Sequence, residues 1–430
     1  MKRISQTYAI DDLQYTKKRL LQWAQQFREV VFLDSNLHKA RYSSCEAVLA
    51  FDAFTLLQTD YSDAFNQLQQ YQSQTRDWLF GYLGYDLKND IEKLHSENFD
   101  GLGFPDLFFF QPKKIIFIEE GILRFEYLSM CEDEIASDFA EIMSVDINAS
   151  YKTGLKIQSR VSFDDYIKGF RTMMNHIRRG DIYEANYCIE FFAEAANIEP
   201  EAVYWKLNEI SEPPFASFGK FNQHYLMSAS PERYLKKTGT KVVSQPIKGT
   251  AKRGITQEED EKLKEALFVN EKERSENVMI VDLVRNDLSK TAVRGSVQVE
   301  ELFGIYSFKQ VHQMISTIAS TVPENINPVE VIRSTFPMGS MTGAPKHSAM
   351  QIIEKVEKTK RGLYSGAIGY FDPENNFDFN VIIRSILYHK PSGYVSFSVG
   401  SAITINANEE DEYRECLLKS AAMKKVLEGC

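Results

Sequence analysis

Three β-rich segments near the C-terminus constrain the fold of this chain more than any other feature. They span residues 366–371, 380–388 and 394–405, and the connections between them are short. Short connections favour antiparallel pairing, because parallel neighbours need a crossover of a dozen or more residues. Elsewhere, helical and strand patterns do not alternate regularly. The sequence therefore predicts an α+β fold rather than a doubly wound parallel sheet.

Helix signals are sharpest after residue 160. Ser162 with Asp165 resembles a capping box, and Gly180 ends the apolar periodicity that follows it. Thr256 begins a second helix, which charged residues coat as far as Glu276. Further helices are expected after residue 344 and over residues 409–427.

Composition excludes several classes of function. The chain has 430 residues, of which 43% are hydrophobic and 26% are charged, which is enough for a large core. The net charge is −10 and no basic stripe occurs, so nucleic acid is not an expected partner. The most apolar stretch, 107–118, is interrupted by lysines and is too short to span a bilayer, so no membrane partner is expected.

The cysteines and the N-terminus predict a cytoplasmic location. The five cysteines are odd in number, scattered and without metal-type spacing, and the first residues lack an apolar signal core. The polar stretch 145–159 is the candidate boundary between a β-rich N-terminal region, residues 1–145, and a second region, residues 146–430.

Lys248 is the candidate nucleophile. It lies in the segment 246–250, and Gly249 after it allows the backbone to approach a ligand closely. If Lys248 is buried, the loss of solvation favours its neutral, nucleophilic amine near neutral pH. Most lysines are solvated surface groups, so this segment taken alone favours the surface alternative.

Two acidic pairs are candidate metal ligands. Glu273 and Glu276 are three residues apart on a predicted helix, and so are Glu412 and Glu415 on the last helix. This spacing puts both carboxylates of a pair on one helix face. Hard oxygen ligands without nearby Cys or His suit magnesium. The alternative for each pair is a solvated helix face.

Two further features indicate a carboxylate-binding site. Residues 339–346 place small residues before a helix N-terminus, where free amides and the helix dipole favour an anion. Arg384 follows β-branched neighbours, and its planar donors match a carboxylate at two points. Residues 400–402 add backbone donors. A plain turn and an arginine on the surface of an edge strand remain open as alternatives.

From about residue 162 to the C-terminus, the chain resembles the chorismate-utilising enzymes. The N-terminal third matches more faintly, over residues 81–92. The resemblance implies an α+β fold of two large, packed, mainly antiparallel sheets flanked by helices. The matching stretches, in the family's order, are 180–191, 230–233, 246–250, 273–287, 336–354, 361–370, 381–385 and 400–419.

Within that family, a lysine at position 248 is characteristic of aminodeoxychorismate synthase component I. The anthranilate synthase large subunit has alanine there, and Asn186 also resembles the first branch. The resemblance implies an enzyme that converts chorismate and ammonia to 4-amino-4-deoxychorismate, for 4-aminobenzoate and folate biosynthesis, through a covalent bond to Lys248. An anthranilate synthase large subunit and a catalytically silent chorismate-binding protein remain as alternatives.

The resemblance also assigns roles to single residues. Glu232 is implied as the general acid/base near the leaving hydroxyl. Magnesium is the implied cofactor, with Glu276 and Glu415 as direct ligands and with Glu273 and Glu412 acting through water. The residues implied to bind chorismate are Thr250, Ser340, Thr342, Tyr364, Arg384, Gly400, Ala402 and Lys419.

A partner and a regulatory pocket follow from the same resemblance. The chain has no glutaminase pattern, so a separate glutamine amidotransferase subunit is the implied source of ammonia. The family often has a tryptophan pocket in its N-terminal region, and Ser35 is a faint match to it.

Three positions depart from the family's pattern. Gln313 stands where many relatives have histidine, with His312 one place earlier. Ala402 replaces a usual glycine, and Glu184 replaces a usual glutamine and adds a charge near the fold core. The consequences of these departures are not predicted by the sequence.

Overall fold

The computed structural model describes residues 2–38, 41–42, 45–147 and 154–429. Among these residues, no helix combines the length and the apolar composition that crossing a bilayer requires. The helices are α1 (Leu13–Ala24), α2 (Ala64–Thr75), α3 (Lys88–Glu92), α4 (Ile135–Ser144), α5 (Phe163–Arg179), α6 (Pro200–Ser211), α7 (Gln257–Val269), α8 (Glu271–Ser289), α9 (Pro328–Thr335), α10 (Lys346–Val356) and α11 (Glu409–Glu428).

The strands occur throughout the described chain. They are β1 (Arg3–Ala9), β2 (Glu29–Asp34), β3 (Ala47–Thr59), β4 (Leu79–Leu83), β5 (Leu107–Glu119), β6 (Ile122–Leu128), β7 (Gln158–Ser159), β8 (Glu184–Ala193), β9 (Phe215–Phe221), β10 (His224–Ser230), β11 (Arg233–Thr238), β12 (Lys241–Gln245), β13 (Ile247–Lys252), β14 (Gln298–Ser307), β15 (Val311–Thr321), β16 (Gly343–Ala344), β17 (Ala367–Phe371), β18 (Phe377–Val381), β19 (Ser385–His389) and β20 (Tyr394–Thr404).

The strands form one hydrogen-bonded network with two arms that share β3 and β5. The first arm runs β1–β6–β5–β3–β2–β9–β10–β19–β20–β8. The second runs β3–β5–β4–β17–β18–β11–β12–β15. Strands β12 and β13 pair with one edge of β15, and β14 pairs with the other edge. The strand pairs named here are antiparallel, as the short connections predict.

Two apolar clusters fix the layers. One packs the first arm against flanking helices and includes Leu20, Tyr166 and Met423. The other takes residues from both arms, among them Leu226 of β10 and Phe379 of β18, so the arms pack against each other there. Burial of apolar surface on this scale is the dominant stabilising contribution to such a fold. The α+β class and the two packed antiparallel sheets, flanked by helices, are confirmed.

The candidate boundary near residue 145 does not separate the sheets. Strand β2 pairs with β9, and β4 pairs with β17, so strands from before the boundary hydrogen-bond to strands after it. Residues 148–153, inside the candidate boundary, lie outside the described residues. The division into 1–145 and 146–430 stays a prediction.

Local helix signals are partly confirmed. Ser162 caps α5 by accepting the Asp165 amide, and Gly180 ends it with a φ of 81°. The continuous helix expected from Thr256 to Glu276 is wrong, because the chain breaks at Asn270. That asparagine is extended, and its side chain accepts the Glu273 amide to begin a new helix.

Candidate active site

Lys248 lies at a bulge at the start of β13. Ile247 pairs with Ile315 of β15 and Thr250 pairs with Gln313, so two residues of β13 oppose one of β15 between these pairs. Gly249 within the bulge has a φ of 101°, which disfavours any side chain. A bulge re-aims the neighbouring side chain out of the regular strand alternation. The expected need for glycine beside Lys248 is therefore explained by backbone geometry.

The amine of Lys248 is sheltered and faces a carboxylate. Its side chain is 12% exposed, and Nζ lies 2.7 Å from Oε1 of Glu184, whose side chain is 7% exposed. Burial alone would lower the pKa of Lys248, but the charges of Glu184 and Glu276 outweigh that effect and raise it. The expectation that burial would by itself leave a neutral amine is wrong, because these carboxylates stabilise the ammonium form.

Glu232 has the character of an acid poised near neutral pH. It follows β10, its side chain is buried, and Oε1 accepts a hydrogen bond from Ser340 Oγ at 2.6 Å. Burial raises its pKa to about 7, although Ser340 and the charge of Lys248 both act to lower it. A carboxyl group with this pKa can both donate and accept a proton at physiological pH.

The four acidic residues of the two predicted pairs lie on two helices, α8 and α11. On α8, burial raises the pKa of Glu276 to about 7 and also raises that of Glu273. On α11, burial and the charge of Glu415 raise the pKa of Glu412. Burial would raise the pKa of Glu415 too, but nearby lysines outweigh it and lower the value. These shifts report carboxylates that are close enough to interact; Glu276 and Glu412 are buried, whereas the side chain of Glu415 is 44% exposed.

Two lysines partly neutralise these acids. Lys272 Nζ lies 3.2 Å from Oε1 of Glu412 and 3.9 Å from Oε1 of Glu276, so it bridges α8 and α11. Lys419 Nζ lies 2.5 Å from Oε1 of Glu415 and donates to the carbonyl oxygen of Gly400 at 2.9 Å. Among the described residues, the ammonium groups of Lys272 and Lys419 therefore supply positive charge beside these carboxylates.

The acids fit a magnesium ion that draws few ligands from protein. Among the described residues, no three His, Cys, Asp or Glu side chains are already grouped for metal binding. However, Glu276 Oε1 is buried without a hydrogen-bond partner, and an unpaired buried carboxylate oxygen is costly unless a cation or a donor reaches it. Magnesium needs only one or two carboxylates when water and an anionic substrate complete its shell.

Arg384 provides a guanidinium for an anion. It lies between β18 and β19 with a φ of 52°, not within a strand as the sequence pattern predicts. The break redirects its side chain to a cavity of about 50 Å³, which Gln313, Ala229 and Met423 also line. Burial lowers the pKa of Arg384, although Tyr364 and Glu415 act to raise it. Such an arginine suits a bidentate carboxylate.

Of the remaining predicted contact residues, Thr250, Gly400 and Ala402 lie on strands, whereas Thr342 lies in a loop. Thr250 is exposed on β13, and the β20 segment of Gly400 and Ala402 pairs with β8. A side chain at Gly400 would clash with Cys188 Sγ at 2.6 Å, so only glycine fits. Thr342 is buried, and its hydroxyl donates to carbonyl oxygens within its own loop. Its contribution is therefore to the loop rather than to an open surface.

Sequence reasoning missed three residues that the fold brings to this region. Glu184 was noted only as a departure from the family pattern, and Lys272 was not singled out. Asn277 donates to the carbonyl oxygen of Lys248 at 3.3 Å and accepts from Ser316 at 2.6 Å, which ties the bulge to α8. The position of Asn277 directly after Glu276 was the only sequence signal for it.

The structure shows what His312, the neighbour of the departure at Gln313, contacts. His312 is fully buried, with Nε2 2.9 Å from Asp260 and Nδ1 2.8 Å from the Ser307 hydroxyl. It therefore joins β15 to α7 rather than facing the candidate site. Gln313 lines the cavity beside Arg384.

Ser35 lies beside a second cavity, of about 80 Å³. Asp34 also lines it; Oδ1 of this residue accepts from the buried ammonium of Lys17 at 2.7 Å, and Oδ2 has no hydrogen-bond partner among the described residues. Residues 39–40 and 43–44, next to this cavity in sequence, lie outside the described part. Tryptophan binding there stays a prediction.

Replacement of Glu276 by glutamine should change how the stability of the metal-free protein depends on pH. The folded-state pKa of Glu276, about 7, exceeds the 4.5 of an ordinary glutamate. The native state therefore binds an extra proton within this window, and stability falls as pH rises through it. The variant lacks this contribution, so its free energy of unfolding should fall by roughly 1–3 kcal/mol less between pH 4.5 and pH 8.

Urea unfolding in EDTA at closely spaced pH values measures this difference, with the exposed Glu258→Gln on α7 as the matched control. Added magnesium should raise the unfolding midpoint of the wild type more than that of Glu276→Gln at pH 8. Parallel pH curves for the wild type and Glu276→Gln would contradict the assignment of a buried, unpartnered carboxylate.

Comparison with known proteins places this geometry in context. The family model described as chorismate binding enzyme matches residues 24–425. Aminodeoxychorismate synthase, chloroplastic, of Arabidopsis thaliana is 36% identical over 377 residues, which are 81% of this chain but only 40% of that protein's length. Anthranilate synthase component 1 of Thermus thermophilus is 32% identical over 366 residues, 81% of this chain and 76% of the relative.

A solved structure supports the same fold. The crystal structure of anthranilate synthase component I from Streptococcus pneumoniae matches with a TM-score of 0.78 over 90% of this chain and 94% of that chain. The two sequences are 22% identical, so this likeness bears on the fold alone.

Proposed function

Because the chain belongs to the chorismate binding enzyme family, we propose that it adds ammonia to chorismate and makes 4-amino-4-deoxychorismate. The observation that carries this proposal is Lys248, whose sheltered amine is aimed by a glycine-containing bulge toward a cluster of acids. An amine in this position can act as a nucleophile once it loses a proton. An alanine at this position would supply no such group.

The first proposed step joins Lys248 to the substrate. Its nitrogen forms a bond to ring carbon 2, the ring double bonds shift, and the bond from carbon 4 to its hydroxyl oxygen breaks. Glu232, with a pKa near 7, donates the proton that lets the hydroxyl leave as water. The hydroxyl of Ser340, 2.6 Å from Glu232, holds that carboxyl group in place.

The second proposed step releases the enzyme. Ammonia forms a bond to carbon 4, the bond between carbon 2 and the lysine nitrogen breaks, and its electron pair returns to Lys248. The carboxylate of Glu232 takes the excess proton from the newly attached nitrogen, which restores its acid form. The balance is one chorismate and one ammonia consumed, with one aminodeoxychorismate and one water formed.

Charged groups around the site would hold the substrate. Arg384 and Tyr364, which interact electrostatically, are proposed to bind the enolpyruvyl carboxylate. Lys419 is proposed to lie near the ring carboxylate. Magnesium held by Glu276 and Glu415 would offset the negative charge of that carboxylate. Glu273 and Glu412 are proposed to support the ion through water.

Ammonia is proposed to come from a separate glutamine amidotransferase subunit. The chain contains no cysteine in a glycine-flanked elbow with a paired histidine, which release of ammonia from glutamine by this chain would need. A cytoplasmic location is proposed with it. Cys45, Cys131, Cys188 and Cys416 are free thiols, as a reducing compartment would keep them.

The second candidate product is anthranilate. The 32% identity to a named anthranilate synthase favours it as a candidate, because this value is close to the 36% of the aminodeoxychorismate synthase relative. Overall identity therefore does not choose between the two products. Lys248 argues for 4-amino-4-deoxychorismate.

Product identity tests the proposal. Purified protein with chorismate, magnesium and an ammonium salt should form 4-amino-4-deoxychorismate. Chromatography with mass detection measures this product. Omission of ammonium and addition of EDTA are the controls, and each should abolish product. Accumulation of anthranilate and pyruvate would favour the second candidate, and binding of chorismate without turnover would favour a silent binding protein.

A further inference from the structure

The contact between Glu184 and Lys248 joins two residues that are 64 positions apart in the sequence. Among the described residues, no other Asp or Glu carboxylate oxygen lies within 4.0 Å of Lys248 Nζ. Both side chains are almost entirely shielded from water. A charge-assisted hydrogen bond in such surroundings is stronger and more directional than one at the surface.

The backbone of Glu184 is held from two sides. In β8 it pairs with Thr404 of β20 and with Ala344 of β16. A side chain at Gly343 would lie 2.1 Å from the Glu184 carbonyl oxygen, so glycine is required for this close approach. A carboxylate on so fixed a strand restricts the group that it binds, which makes it a suitable anchor for a flexible lysine.

Other charges face Lys248 but act over a longer range. Glu276 on α8 and Glu415 on α11 also stabilise its ammonium form, and Glu232 senses the charge of Lys248 in turn. In the proposed function, Glu276 and Glu415 are engaged by magnesium and substrate. Glu184 is then the carboxylate that stays with the amine.

We propose that Glu184 is a positioning residue, which aims the Lys248 amine at the substrate and whose charge retains the proton that this amine must lose before it attacks. This inference rests on the proposed function. The Lys248 ammonium loses its proton to solvent, and the free electron pair then forms the bond to ring carbon 2. When Lys248 is expelled as a neutral amine, it takes up a proton from solvent again, so the cycle is balanced without another reactant.

The two parts of the role are separable, because a side chain can keep the hydrogen bond and lose the charge. Glu184→Gln keeps the side-chain length and an oxygen that can accept the hydrogen bond. Glu184→Leu keeps the approximate side-chain volume but has no acceptor. The charge holds Lys248 as an ammonium, which means that activity requires a higher pH than with glutamine.

Steady-state kinetics of the full chain tests positioning. Glu184→Leu is expected to lower kcat for amination about 100-fold, with a change in KM for chorismate of less than about threefold, because misplacement of a reacting group mainly affects the chemical step. Glu184→Gln should restore kcat to within about threefold of the wild type at its own optimum. Equal kcat values for Glu184→Leu and the wild type would overturn the positioning role, as would a loss confined to KM.

The pH dependence tests the charge. The limb on which kcat/KM rises with pH should move to lower pH by about one unit or more in Glu184→Gln, since loss of a neighbouring carboxylate makes the ammonium easier to deprotonate. An unmoved limb would overturn that part of the proposal. Thermal unfolding of each variant separates these effects from a failure to fold.

A readout without turnover keeps this inference distinct from the proposed function. The rate at which a small acylating reagent modifies Lys248 is followed by peptide mass spectrometry across pH in the wild type and Glu184→Gln. Modification should begin at lower pH in the variant, and identical profiles would contradict the control of the amine by Glu184. If the wild type makes no aminodeoxychorismate but the profiles differ, the proposed function fails while the control of the amine by Glu184 stands.

Discussion

Replacement of Lys248 by alanine is expected to lower the rate of the proposed chorismate amination by about three orders of magnitude or more, because the variant has no nucleophile to form the proposed covalent intermediate. The fold should survive, since the bulge of β13 depends on Gly249 and on the Asn277 contact with the residue 248 carbonyl oxygen. The variant should nevertheless be less stable than the wild type, because it leaves the buried Glu184 carboxylate without its partner, and urea unfolding checks that it is still folded under the assay conditions.

The matched control is Lys262→Ala. Lys262 lies on α7, is mostly exposed and pairs only with Glu258 among the described residues. Its removal should leave the amination rate unchanged. Mass spectrometry without ammonia completes the test: a chorismate-derived adduct on the peptide that contains Lys248 should form in the wild type and be absent in Lys248→Ala. A variant that retains the full rate would rule out covalent catalysis by this residue.

Replacement of Arg361 by methionine is expected to cost about 3–5 kcal/mol of stability, because it leaves a buried carboxylate without its partner. Arg361 is 3% exposed and forms two hydrogen bonds with Glu357, at 2.6 and 2.9 Å. It also donates to the carbonyl oxygens of Met341 and Asn186. These contacts tie the loop of Ser340 to β8, so the site should be lost together with the stability.

A paired substitution separates charge from packing. The double variant Arg361→Met/Glu357→Leu removes both charges, and it should recover part of the lost stability, because no uncompensated carboxylate remains. Urea unfolding of the wild type, both single variants and the double variant gives the coupling between the two residues. A cost below about 1 kcal/mol for Arg361→Met would show that the pair contributes little.

The sequence predicts those features of the fold that local chemistry determines. Short connections between the C-terminal strands led to antiparallel pairing, and Ser162 and Gly180 marked the ends of α5 correctly. Asn270 was not recognised as a break, because an asparagine within a charged run resembles the rest of a solvated helix until its cap is seen. The β-branched neighbours of Arg384 predict a strand at this position and conceal its left-handed backbone.

The site was only partly predictable because its charges interact across the fold. The spacing of Glu273 and Glu276 is a local signal, and so is Gly249 beside Lys248. The neutral amine was a wrong expectation because it considered burial without the partner that a distant strand supplies. Glu184 belongs to β8 and Lys248 to β13, and no pattern along the chain connects them. Contacts of this kind follow from tertiary packing alone.

Because the two arms share β3 and β5, these strands limit how the arms can move relative to each other. The pairing of these strands extends from Ala47 with Ile118 to Thr59 with Leu107, and both arms are anchored to it. A hinge that separated the arms at these strands would have to break this ladder, so we expect the arms to stay joined there. We therefore expect the proposed substrate and product to pass by adjustments at the rim, where α7 and α8 contact β13 and β15 at the far edge of the second arm.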